Sequence, residues 1–395
     1  MNSLLQTIYQ KEQMTQPWSI ITRYGYDTGN NQASVTDPNT NITQYYNDDL
    51  GRKNQTTSPD TGTTKYQYDG AGNLTQKVDA KGTIVNYTYD VLNRLTAVQF
   101  PSDPNQDITF TYDSVAATNG IGRLTGRTDP SGTYAFHYYP DGKFKKEEKT
   151  ITGGGSYTTQ YEYNKNGVLT KITYPTGRII NYDPDSVDKT RTTQVRINDS
   201  PTLLASGINY LPFGGVTGLT YGNNLTLTQG YDTQYRVSSI VTGSVINLTY
   251  EYDANGNVKS ITDPINPSVG QGLEASETYT YGQGTNNRLT QISGTTLTTF
   301  EYDNNGNIIL ENISPHLWTY EYDDSNQLTR VLYDSNEAAA YTYNGAGQRV
   351  KKVTQTETRI FHYDLLGHII AETNQTGQML AEYVYLGDQL LAMIK

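Results

Sequence analysis

Along most of the chain, apolar and polar residues alternate every second position in short runs, and each run ends in a cluster of Asp, Asn and Gly. Phe300-Glu-Tyr-Asp-Asn-Asn-Gly-Asn-Ile-Ile309 is the clearest example. Phe300 and Tyr302 sit two apart, so in an extended strand they share a face, and Asp303 ends the run where its carboxylate can accept hydrogen bonds from nearby backbone N–H groups. Asn305 and Gly306 both tolerate positive φ, which predicts a tight type I′ turn, and Asn307-Ile308-Ile309 begins the returning strand. The predicted unit is a β-hairpin.

The same string recurs. Tyr250-Glu-Tyr-Asp-Ala-Asn-Gly-Asn-Val258 and Tyr66-Gln-Tyr-Asp-Gly-Ala-Gly-Asn-Leu74 are near copies, with Asp69, Gly72, Asp253, Gly256, Asp303 and Gly306 as the predicted turn residues. Two further copies put Asn93 or Asn326 where the glycine stands, and asparagine also visits the left-handed region. The second aromatic of each copy marks the predicted ladder: Tyr26, Tyr46, Tyr68, Tyr89, Tyr112, Tyr138 and Tyr163, then Tyr231, Tyr252, Tyr281, Tyr302, Tyr322, Tyr343, Tyr363 and Tyr385. Most steps are about 21 residues, the sign of one supersecondary unit repeated side by side. Such a period accommodates two strands and two turns, so the repeats predict roughly 34 strands, and an open sheet of that width must coil because twist accumulates. Cross-strand aromatic pairs at ~0.2–1 kcal/mol each are the expected glue.

The Tyr-x-Tyr-Asp-x-x-Gly-Asn/Arg-Leu unit resembles the Tyr-Asp (YD) repeat of the Rhs family, shared with the C component of bacterial Tc toxins, wall-associated polymorphic toxins and animal teneurins. Leu219-Thr-Tyr-Gly-Asn-Asn-Leu-Thr226, followed by Tyr231-Asp232 and Tyr235-Arg-Val-Ser-Ser-Ile240, resembles a phrase common inside such proteins. The likeness runs over roughly residues 24–395. It implies an all-β fold of antiparallel YD/RHS hairpins coiled into a spiralling β-sheet shell, partial or open, which encapsulates a toxin or other polypeptide and is secreted or extracellular. In the family the repeats lead to a self-cleaving aspartate site before a variable toxin. Tyr383-Val-Tyr-Leu-Gly-Asp-Gln-Leu-Leu-Ala-Met-Ile394 resembles the start of that segment, but the protease motif is missing, so self-cleavage transfers to no residue here.

Residues 1–23 fall outside the repeats and read as an N-terminal cap or strand, with Pro17-Trp18 as an apolar patch. Residues 24–395 form the repeat region, with an irregular stretch at 175–230. There Pro175, Pro184, Pro201 and Pro212 each remove a ladder donor and predict bulges, edges or a bend. The phrase at 219–240 favours one continuous sheet over two hinged arrays. The expectation is a partial shell with exposed strand edges that pair with a partner chain or a second copy.

Composition narrows the chemistry. Leu, Ile, Val and Phe make up about a fifth of the chain, at the border of disorder, and the 35 periodic tyrosines tip the balance toward ordered strands. With no Cys there is neither disulfide nor thiolate site. A net charge of −11 argues against nucleic acid as a partner. No apolar run is long enough to span a bilayer, and the start lacks the basic residue and apolar core of a signal peptide. Residues 143–149, the densest charge run, read as a solvated hairpin tip, and paired carboxylates such as Asp48 with Asp49 and Asp323 with Asp324 as solvated turn residues.

No nucleophile elbow, phosphate-binding loop or His-Glu-x-x-His string is present, so neither catalytic residue nor cofactor is assigned. His362, Asp364 and His368 are the one weak metal candidate, weighed against decoration of a hairpin end. The Asp-x-Asn-Gly-Asn strings read as turns rather than calcium loops. The expected function is a non-catalytic scaffold around a toxin cargo. The alternative is a carbohydrate or cell-surface binding module, because tyrosine and asparagine faces can stack on and hydrogen-bond glycans.

Overall fold

The computed structural model describes residues 5–10, 20–187, 189–198, 203–212, 215–253, 255–265, 276–282, 285–294 and 296–395. Pro17 and Trp18 lie outside them. Among the described residues there are 35 β-strands, one short 3₁₀ turn at Pro104–Gln106 and no α-helix. The chain divides into two compact units, one made of residues 1–104 and 249–337, the other of 105–248 and 338–395. Each unit therefore joins an early run of repeats to a late run, and the irregular stretch 175–230 lies inside the second unit.

Within each unit, strands follow chain order and pair antiparallel with their neighbours, as in Phe300↔Glu311 and Glu301↔Leu310. Tyr302 then faces Ile308, so the register slips by one residue at the repeat tyrosine. The same slip precedes Tyr26, Tyr68, Tyr89, Tyr112, Tyr163, Tyr252, Tyr322, Tyr343, Tyr363 and Tyr385. In the second repeat it falls at Asn47, one residue after the tyrosine marked from the sequence. The repeated unit is thus a hairpin with a bulge, which sharpens local twist.

The turn explains the slip, and it is not type I′. Gly306 N–H donates to the Asp303 carbonyl (3.1 Å) and Asp303 N–H to that of Asn307 (2.9 Å). Only the glycine has positive φ, 86°, and Asn305 does not. This is a type I turn followed by a left-handed residue, the arrangement that produces a bulge. Asp303 Oδ1 accepts the N–H groups of Asn305 (2.9 Å) and Asn307 (2.8 Å), and Oδ2 the Asn307 side-chain amide (2.9 Å). Asp69 and Asp253 make the same bonds in their turns, with Gly72 and Gly256 at positive φ. Asn93 and Asn326 hold the left-handed position at φ 59° and 63°.

The two units bury their residues differently. In the first, strand residues are mostly half-buried, and Val85, Phe100 and Val331 are its fully buried large apolar residues among those described. The second contains an apolar core of Tyr174, Ile180, Tyr182, Val195, Leu219 and Leu227 with Ile370, Val384 and Leu386. That core is drawn largely from the stretch where the repeat pattern weakens. Pro184 ends its strand at a bulge, where no ladder donor is required.

The charge run at 143–149 is not a solvated tip. It belongs to strand Phe144–Ile151, which pairs on both sides with Gly132–Tyr138 and Ser156–Tyr163. Lys149 on this strand is only 4% exposed.

Candidate functional site

The repeat tyrosines act mainly through their hydroxyls. Tyr68 donates to the Lys53 carbonyl (2.8 Å), Tyr89 to Leu74 (3.0 Å), Tyr302 to Leu289 (2.6 Å), Tyr322 to Ile308 (2.8 Å) and Tyr363 to Arg349 (2.6 Å). Each bond ties a hairpin to the first residue of a preceding strand. The rings also receive cations, with Arg52 over Tyr68 at 5.0 Å and Arg288 over Tyr302 at 5.3 Å. The expected ring-on-ring ladder is replaced along these repeats by a hydroxyl-to-backbone staple. Ring contacts gather instead around Tyr134, Phe136, Tyr138, Phe144 and Tyr161.

In the first unit, YD turns of the late repeats sit on the opposite-end turns of the early repeats. Asp37 Oδ2 accepts from the Asn287 (2.7 Å) and Asn255 (3.1 Å) amides. Asp60 accepts the Asn287 N–H on Oδ1 (2.6 Å) and the Arg288 guanidinium on its carbonyl (2.6 and 2.9 Å). Asp79 Oδ2 accepts from Asn305 (2.6 Å) and Asn326 (3.4 Å), Lys81 lies 3.6 Å from Asp303, and Ser102 bonds Asp324. The result is a polar seam in which the repeat period is matched row to row. Burial alone would raise the Asp79 carboxyl, but the Thr83 N–H and the Asn305 and Asn326 amides hold it below its ordinary value. At Asp323 burial wins and pushes the carboxyl up, so this turn carboxylate is not an ordinary solvated one.

The second unit has its own early-to-late contacts. Asp129 accepts the Gly345 N–H (2.7 Å) and the buried Arg127 guanidinium (2.7 Å), and Glu382, fully buried, takes Thr176 and Arg178. The Tyr174 hydroxyl donates to the Tyr383 carbonyl (2.8 Å).

His362 and Asp364 lie on opposite sides of the bulge. His362 is fully buried, its Nε2 2.9 Å from Thr373 Oγ1 and its ring 4.3 Å from that of Tyr157, while its Nδ1 has no partner. Burial, reinforced by the nearby Lys149 charge, drives its pKa well below the usual value, and burial also lowers that of Lys149. His368 instead faces Asp364 (3.0 Å) and Asp388 (3.1 Å), which outweigh its partial burial and raise its pKa. Among the described residues, no three His, Asp or Glu side chains converge on a point suited to a metal ion. Sequence reading missed Asp37, Asp60, Asp79, Arg127, Lys149 and Glu382. Only the spacing of the first three, close to the repeat period, was visible beforehand.

Comparison with known proteins fits this geometry. The RHS repeat model matches residues 46–84 and 68–103, and the teneurin YD-shell model matches residues 265–393. Over these residues the hairpins are RHS/YD repeats. RHS/YD relatives include the tRNA nuclease WapA of Bacillus subtilis, 24% identical over 56% of this chain and 8% of that protein. The probable deoxyribonuclease RhsA of Dickeya dadantii is 25% identical over 62% of this chain and 18% of its own length. The chain therefore spans under a fifth of either relative. Among solved structures, the TcdB2-TccC3 complex matches 96% of this chain with a TM-score of 0.56 at 17% identity. The Photorhabdus luminescens Tc holotoxin pore matches 98% with a TM-score of 0.57, again at 17%. Each match uses 27% of the solved chain, and at this identity the shared property is the RHS/YD fold.

Proposed function

We propose that this chain is a wall segment of a hollow RHS/YD shell that encloses a toxic polypeptide and itself performs no chemistry. The observation that carries this reading is the seam, in which Asp37, Asp60 and Asp79 of early repeats hold Asn255, Asn287 and Asn305 of late ones. A hairpin ribbon stitched to itself through its turns resists unrolling, as a container wall must. The repeat family and the fold shared with Tc toxin chains support the same reading. In it the wall is exported with its cargo, and its remaining strand edges pair with another shell chain or a second copy.

The nuclease names of the relatives belong to proteins far longer than this chain. In the proposed reading, cutting activity resides in a cargo rather than in the repeats. Two measurements test this. The protein is co-expressed with the polypeptide encoded beside it and treated with proteinase K; survival of that polypeptide, against digestion when it is alone, supports enclosure, and equal digestion overturns it. Incubation of the purified chain with tRNA and with duplex DNA should leave both intact. Cleavage that tracks the protein through gel filtration would overturn the non-catalytic part.

A further inference from the structure

A cavity of about 170 Å³ in the second unit is lined by Leu169, Ile172, Tyr161, Tyr182, Tyr385 and Asp364, among others. An engineered apolar cavity of roughly 150 Å³ admits benzene, so this one has room for about six heavy atoms. Its wall is mainly apolar, and beside Thr192 it carries two polar features. Tyr161 and Tyr182 are 3% and 8% exposed, yet among the described residues neither hydroxyl has a hydrogen-bond partner. Asp364 supplies a carboxylate whose side chain is 9% exposed. Its Oδ1 accepts the N–H groups of Leu366 and His368 (both 2.9 Å) and its Oδ2 the His368 ring (3.0 Å). A carboxylate offers about four acceptor positions, so one is left. His368 is shared with Asp388, whose side chain is fully exposed, so two carboxylates hold the imidazole and of these Asp364 alone lines the cavity. The His368 ring stacks on Tyr385 at 4.6 Å.

We propose that this cavity binds a primary alkylammonium group, its short carbon chain against Leu169 and Ile172 and its charged head between Asp364 and the tyrosine rings and hydroxyls. Rings and a carboxylate around an apolar slot suit a cation with an alkyl stem, because the faces of Tyr rings attract positive charge and the stem buries apolar area. A lysine side chain is the polypeptide form of this ligand and a free amine the small-molecule form. The proposal does not depend on the enclosure reading, and either can fail alone.

The test is calorimetric titration of the whole protein with n-pentylammonium and, at the same concentrations, with 1-pentanol. The wild type should bind the ammonium at least tenfold more tightly. Asp364→Asn should abolish that preference. This variant is expected to fold, because Asn164, Asn344 and Asn374 hold the same turn position and make the same backbone bonds. Tyr182→Phe, which removes only a hydroxyl, should weaken ammonium binding at least threefold and provides the check if the turn variant is unstable. Equal binding of ammonium and alcohol, no binding of either, or an Asp364→Asn variant with unchanged preference would each overturn the proposal. A blocked Gly-Lys-Gly peptide distinguishes the source: binding supports a lysine side chain as ligand, and binding of free amine alone supports the small molecule.

Discussion

A Cβ placed on Gly306 would lie 2.6 Å from the carbonyl oxygen of Asp60, two residues that belong to turns of a late and an early repeat. Gly62 mirrors it, since its Cβ would meet the Asn304 carbonyl oxygen at 2.9 Å. The glycine of the repeat thus serves two needs, a positive φ in its own turn and a backbone-to-backbone approach across the seam. Gly72 has the first need only, at φ 91° with open space for 4 Å around the position a Cβ would take.

Alanine separates the two needs. Gly72→Ala should cost about 1–2 kcal/mol, the strain of a non-glycine residue at positive φ. Gly306→Ala should cost about 2 kcal/mol more, because backbone must also move at the seam. Urea unfolding of both variants measures the difference, and equal costs would mean that the seam yields freely.

Asp79 and Asn305 are the best pair for a double-mutant cycle, since the acceptor is buried and the bond is 2.6 Å long. Asp79→Ala should cost about 2–3 kcal/mol, because the Lys81 and Thr83 N–H groups and the Asn305 amide all lose their acceptor. The cycle with Asn305→Ala should give a coupling of about 1 kcal/mol. A coupling near zero would mean that these turns touch without holding one another.

Tyr235 occupies the left-handed turn position at φ 62° and is 63% exposed. An aromatic residue there is strained and contributes little packing. Tyr235→Gly should stabilise the protein by about 1 kcal/mol, the relieved strain less the added freedom of glycine when unfolded. Thermal unfolding compared with wild type tests this, and a lower midpoint would show that the ring has a contact that matters.

Much of the hairpin array was legible in the sequence because its causes are local. Alternation, Asp and Gly at fixed offsets and a period near 21 residues mark the hairpins without knowledge of the rest of the chain. The turn type was not, because Asn305 tolerates positive φ without needing it, and the slipped pairing of Tyr302 with Ile308 decides the matter. The seam was hidden for a related reason: a turn Asp with a free oxygen looks the same whether it meets water or Asn287. Lys149 misled most. Its charge suggests solvent, while its burial is set by a late run of strands, where Thr373 Oγ1 meets the Tyr157 hydroxyl across 216 residues of chain.

The buried His362 makes acid stability a sharp readout of that late run. Its folded pKa lies well below the ordinary value of 6.5, from burial first and the Lys149 charge second. A histidine with a depressed folded pKa contributes stability that is fully present above its unfolded pKa and is lost as pH falls toward the folded one. His368 has the opposite sign: its pKa is raised, so its contribution is complete below 6.5 and fades as pH rises through its folded value. The two windows therefore lie on opposite sides of 6.5. Below it His362 titrates without interference from His368, and one proton bound only by the unfolded chain costs about 1.4 kcal/mol per pH unit. Turn carboxylates such as Asp69, held down first by the Asn73 side-chain amide, add their loss only lower, below 3.8, while Asp323, which burial pushes up, is common to wild type and a His362 variant and drops out of their difference. Unfolding free energies of wild type and His362→Gln, measured by urea between pH 7 and pH 5 and subtracted, should diverge with that slope. Parallel curves would show that His362 is protonated in the folded protein and that its site is open to water.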